Sequence, residues 1–385
     1  MKKWMLCIAA WMLPSFVLAT WDLNDVSYLM PLPSQVGPDN LLGIEAPGRG
    51  GALLPPRLLA SVPPLTVTHT EQQTLEALRV IAVRIDPCFP LPTPQSCQRQ
   101  IRIVWQPIEE GRLNQTQTID AALHSFYVLN EKEFGDLLND LQTWKTKHSV
   151  KTEGLALQVH PAWNLQKDQS PALIDFNNII KKFAGAENLS RVTAMVLRGA
   201  GDMWAFQGFE VKNGGLQILK IPRINHGSQA FLNFAVPADH FDRGQISPEP
   251  KAPDTINQII RNSDKLSAGN EELIRQEVTA ALRIENPKNF NPENLDCVSC
   301  HVAQPAREWA QRKRGDITIA DLVQGFGYQN PRYNLSNSTK ILSNTQMIRA
   351  FGYFIQEASI SQRVINESAE VADLINQWAS AKSKN

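Results

Sequence analysis

A chain of 385 residues with 43% hydrophobic side chains is long enough for two domains that each bury a core, which excludes a disordered polypeptide. Its 38 Lys and Arg balance 38 Asp and Glu, so no long-range field draws it to nucleic acid or to an anionic membrane. A protein partner has to be recognised through a local patch.

Residues 1–19 read as a secretory signal. Lys2 and Lys3 form the basic start, Trp4 to Leu13 form an apolar run too short to span a bilayer, and Pro14 breaks it. Val17, Leu18 and Ala19 supply the residues a signal peptidase reads, placing the mature start at Thr20. Cys7 leaves with the signal and has no lipobox around it. No other stretch reaches transmembrane length, so the expected product is a periplasmic protein without a membrane span; an uncleaved anchor helix is the alternative. The mature chain has 36 basic against 38 acidic residues and keeps Cys88, Cys97, Cys297 and Cys300.

Residues 20–65 are rich in Pro and Gly and read as an extended segment without regular structure. ALRVIAVRID and QIRIVW alternate as strands through Val80, Ala82, Ile101, Ile103 and Trp105. The loop between them, DPCFPLPTPQSC, holds four prolines that restrict the open chain, and a disulfide between Cys88 and Cys97 is expected. Asn130 and Glu133 form a capping-box pair before the stripe Phe134, Leu137, Leu138, Leu141 and Trp144. GLALQVH reads as a strand, Leu173 to Phe183 as a second packing helix and RVTAMVL as another strand. Asn213-Gly214 between alternating runs is a hairpin signal, and LNFAV adds a strand.

These elements predict an α+β domain with a mostly antiparallel sheet over residues 20–245, and ISPEPKAPD starts a linker over 246–265. Residues 266–385 read as all helical. Asn270 caps EELIRQEVTAAL, Pro305 and Gly315 frame AREWAQRKR, and Val371, Leu374, Ile375 and Trp378 share one helical face.

The chemistry sits in LDCVSCHVAQ, where Cys297-x-x-Cys300-His301 is the attachment pattern of c-type haem. Thiols at this spacing reach two vinyl groups on one porphyrin edge, and the next imidazole can turn under the ring to bind iron. A thioredoxin-like pair, a structural zinc site and a plain disulfide are the competing readings. The motif follows a polar loop where a redox pair follows a buried strand, no further Cys or His lies between 302 and 385 to complete a zinc site, and a C-x-x-C disulfide ring is strained.

Residues from about 265 to 385 thus resemble a single-haem c-type cytochrome domain, through this motif, the signal peptide and the helical surroundings. The resemblance implies one covalent haem c, thioethers at Cys297 and Cys300, His301 as proximal iron ligand and a cytochrome c-like fold. For the distal ligand it leaves Met347 as the one soft neutral group after the motif, with His226 or His240 reaching across, or an open site, as alternatives. His69, His124, His148 and His160 read as isolated background. No catalytic acid, base or nucleophile set is evident, so electron transfer with a periplasmic redox partner is the expected function. The alternative is an envelope binding, structural or sensor protein whose large N-terminal part carries the function while the haem is auxiliary.

Overall fold

The computed structural model describes residues 20–34, 41–65, 71–89, 97–111, 114–163, 170–198, 203–233, 244–263, 265–266, 269–337, 339, 348 and 350–382. The expected signal peptide, His69, His240 and Met347 lie outside these residues.

The segment expected to lack regular structure instead carries short elements: α1 (Leu23–Val26), β1 (Ser27–Leu29), β2 (Pro47–Gly48), β3 (Gly51–Ala52) and α2 (Pro56–Leu59). After α3 (Glu71–Ala77) come the long strands β4 (Leu78–Phe89) and β5 (Gln98–Glu110), then β6 (Thr116–Thr118) and β7 (Ala121–Leu129). Helices α4 (Glu131–Lys147) and α5 (Pro171–Phe183) precede β8 (Leu189–Arg198), β9 (Met203–Lys212), β10 (Gly215–Ile218), β11 (Ser228–Leu232) and β12 (Gln245–Ser247). The capping box at Asn130 forms as its spacing predicts. Asn213 and Gly214 both take positive φ in the β9–β10 turn, the conformation that an Asn-Gly hairpin requires. GLALQVH does not form a strand; within it Val159 makes only an isolated bridge to Leu29.

The sheet runs β1-β4-β5-β7-β8-β9-β11-β12, with β6 on β5 and β10 on β9, and every pair is antiparallel. Its central strands are buried on both faces, which the period of two makes visible residue by residue. On β7, Leu123, Tyr127 and Leu129 enter a core completed by α4, α5 and the N-terminal segment. Ala122, Met195 on β8 and Phe206 on β9 enter a second core on the opposite face. That second core is closed by α6 (Asn257–Asn262), α7 (Glu271–Glu285), α8 (Cys297–Lys313) and α9 (Ile319–Phe326).

The C-terminal part is not the all-α, cytochrome c-like fold expected from sequence. A hairpin, β13 (Phe351–Phe354) and β14 (Glu357–Ile360), interrupts the helices. The physical cause is side-chain pairing with the main sheet. Gln106 of β5 donates from Nε2 to the Tyr353 carbonyl (3.0 Å) and accepts from the Tyr353 N–H (2.8 Å), while Thr118 N–H donates to the Ile355 carbonyl (2.9 Å). These bonds hold the run as extended chain, although its apolar side chains Ile348, Phe351 and Tyr353 are buried as an apolar run implies. The last helix, α10 (Gln362–Lys382), then packs on α1 and β4. Asn376 exchanges hydrogen bonds with the backbone of Trp21, and Ser368 meets Ser27 at 2.7 Å.

Gln106→Leu leaves the buried N–H of Tyr353 without its side-chain partner and its C=O with the Thr118 hydroxyl alone. It should lower unfolding free energy by about 2–4 kcal/mol in urea titration; a change below about 0.5 kcal/mol would show that the hairpin does not depend on this contact.

Candidate functional site

Helix α8 begins at the motif itself. Asp296 is its N-cap, accepting from Ser299 N–H at 3.0 Å, so Cys297 occupies the first helical position and Pro305 falls inside the helix instead of starting it. Cys297, Cys300 and His301 then share one face by helical spacing. Gln229 on β11 fixes this turn to the sheet. Its Nε2 donates to Asp296 Oδ1 (2.9 Å) and its Oε1 accepts from Val298 N–H (2.9 Å), so one buried amide ties cap and first turn together. The Arg223 guanidinium faces Asp296 Oδ2 at 3.4 Å.

The motif opens into a cavity of about 430 Å³ between α8 and the sheet, with α10 and the segment around Ala350 closing a side. Pockets of this size enclose cofactors. Its floor is a shallow trough in the sheet. His124 sits in register with Thr193 of β8, which sits in register with Gly208 of β9, and Leu219 packs over that glycine. The Phe206 ring lies 5.1 Å from the His301 ring, centroid to centroid.

His301 Nδ1–H donates to the Ile348 carbonyl at 2.8 Å, which assigns the proton to Nδ1 and leaves the lone pair on Nε2. Burial holds its pKa below the usual value, against the raising effect of that carbonyl. Burial pushes the Cys300 thiol up to about 11 and raises Cys297 further, with Asp296 adding to the latter. Both cysteines are free thiols, and at neutral pH they stay protonated, unlike the thiolate of a thioredoxin-type pair. Among the described residues no group of three His, Cys, Asp or Glu side chains is arranged to hold a metal ion.

One wall is charged. Asp86 receives the Arg84 Nε–H (2.8 Å) and faces Arg102 Nη2 at 3.3 Å, while Glu367 of α10 pairs with Arg84 and receives the Arg363 Nε–H (2.6 Å). Burial alone would raise the Glu367 carboxyl, but the guanidiniums of Arg363, Arg84 and Arg102 overcome this and hold it far below the usual range. Burial weakens the charged form of Arg102, whose Nε has no hydrogen-bond partner and whose guanidinium lies over the Phe89 and Phe126 rings.

Among the other residues marked in the sequence, Cys88 and Cys97 form the expected disulfide, with Cα atoms 4.6 Å apart. His226 is exposed, bonded to Ser228 and away from the cavity. His148 pairs with Asp175 at 2.8 Å, whereas His160 is buried and stacked on Tyr28, its Nδ1 accepting from Ala162 N–H and its Nε2 without a partner among the described residues. His124 is different: it faces the cavity. Sequence reading passed over it, and also over Gln229 and the arginine wall; of these contributors only Asp296, three residues before Ser299 as a helix cap should be, carried a local signal. No family model, curated protein or solved structure matches this chain.

Glu367→Gln keeps the shape of the wall but takes the charge partner from Arg363 and leaves Arg84 with Asp86 alone. At neutral pH it should cost about 3–5 kcal/mol of stability. A carboxyl held low in the folded state stabilises fully above its unfolded value near ~4.3, and that contribution fades as pH falls below it. The gap between wild type and Glu367→Gln measured by urea unfolding should therefore close on acidification below about pH 4; a gap that widens there contradicts the assignment.

Proposed function

We propose that this chain is an exported redox protein that holds one haem c covalently through Cys297 and Cys300, with His301 as an axial ligand, and exchanges single electrons with a protein partner. The observation that carries this reading is the convergence of both neutral thiols and the imidazole of His301 on one face of α8, in a cavity of about 430 Å³.

The surrounding residues suit the group. The Ile348 carbonyl fixes the tautomer of His301 that leaves Nε2 free for iron, the usual outer contact of a metal-bound imidazole. Phe126, Phe206 and Met195 offer apolar surface to a porphyrin face. Arg102, short of a hydrogen bond at Nε, and Arg191, also on the wall, offer cations to the propionates. Such a haem supplies a one-electron iron couple whose potential is set by axial ligands and burial.

The chain's own residues then have definable tasks. Asp296 and Gln229 fix the attachment turn, His301 orients Nε2, and the two cores on either side of the sheet limit reorganisation around the site. Exposed Lys220 and Glu293 stand on the cavity rim, where a partner can approach the porphyrin edge. The size of the N-terminal part, which in the sequence favours a separate binding or sensing role, has an account here because the sheet is a wall of the cavity. The Cys88–Cys97 disulfide agrees with an oxidising compartment, hence with export to the periplasm. Among the described residues no helix is long and apolar enough to cross a membrane.

Protein-film voltammetry of the haem-loaded protein tests the electron-transfer role. A reversible one-electron wave that is unchanged by hydrogen peroxide is expected; a catalytic peroxide current would instead place the chemistry at an open iron.

A further inference from the structure

We infer that His124 is the second axial ligand, giving the iron a bis-histidine environment; this deepens the haem reading and rests on it. Met347 is the candidate from sequence. Its described neighbour Ile348 is held by Nδ1 of His301, on the side of the imidazole remote from Nε2. A ligand trans to His301 has to come from the opposite wall of the cavity, and that wall is the sheet.

Among the described lining residues on the sheet, His124 and Met195 alone bear a neutral nitrogen or sulfur ligand. Met195 is packed with Ala122, Trp204 and Phe206 in the apolar core. His124 has no such apolar role. It points from the middle of β7 into the trough, and neither ring nitrogen makes a hydrogen bond among the described residues. His124 is only half-buried, and its ring nitrogens are open to the cavity, where they can take a ligand.

His124 and His301 line the same cavity, one from the sheet and the other from α8. The cross-strand neighbour of His124, Thr193, is small, while Leu219 covers Gly208 beyond it. Arg84 and Arg102 on the same face bring cations to the cavity.

The test reads coordination, not turnover. Wild-type, His124→Ala, His124→Met and Met195→Leu proteins are exported with haem-attachment machinery, haem content is taken from the pyridine haemochrome of denatured protein, and ferric spectra are recorded by EPR and near-infrared magnetic circular dichroism. The wild type should be low-spin with a bis-imidazole charge-transfer band. His124→Ala should hold the same haem content but become high-spin, and return to low-spin with added imidazole. His124→Met should stay six-coordinate with the methionine signature and a raised potential.

Met195→Leu should leave the wild-type spectrum in place; loss of the low-spin signal there would move the ligand to Met195. A wild-type spectrum that is high-spin or methionine-ligated, or a low-spin His124→Ala protein, overturns the assignment while leaving the covalent haem intact. A wild type without haem overturns both. If His124→Ala fails to fold, His124→Met decides: a variant that keeps the bis-imidazole band overturns the assignment to His124.

Discussion

A single buried amide joins the two halves of the proposed site. Gln229 sits on β11, near the edge of the sheet, and satisfies Asp296 and the Val298 N–H at once. Because Asp296 also caps α8 through Ser299, the position of the first helical turn is tied to the strand and not only to its own helix. Cys297, Cys300 and His301 are therefore aimed at the sheet by bonds made before any cofactor is considered. Removing one partner of such a buried set leaves desolvated polar atoms behind, which makes the arrangement expensive to disturb.

The opposite side of the cavity depends on charge. Arg84, Arg102 and Arg363 would repel one another in a dry wall, and Asp86 and Glu367 hold them together. Glu367 comes from α10, which also carries Asn376 and Ser368 to the N-terminal residues Trp21 and Ser27. The beginning of the described chain, the sheet and the last helix thus meet around the charged wall. A buried ion network gives little net stability compared with apolar packing, but it fixes which groups face the cavity, and here it presents guanidiniums.

What sequence could read is what is local. The capping box at Asn130, the Asn213-Gly214 turn and the proline-restricted Cys88–Cys97 pair depend on a few neighbouring residues, and each element is found where its signal lies. Asn270 shows the limit of such signals: it takes a left-handed conformation and makes no side-chain cap bond to α7. Pro305 misplaced the start of α8 because Asp296, nine residues earlier, caps the helix first.

The functional face of the sheet was not legible for a different reason. AALHSFYVL drew no reading as a strand, and nothing local in it tells that helices cover both faces of the sheet, so His124 read as isolated background. The hairpin at Phe351–Phe354 was hidden likewise, since its extended form is enforced by Gln106, far away in sequence.

Covalent attachment at the motif is the claim on which the rest stands, and the intact mass of denatured protein measures it directly. Wild type exported together with haem-attachment machinery should carry one added haem mass that survives denaturation and acid extraction, and a Cys297→Ala, Cys300→Ala double variant should carry none. Folded wild type at its bare polypeptide mass, or the added mass retained in the double variant, would contradict the account.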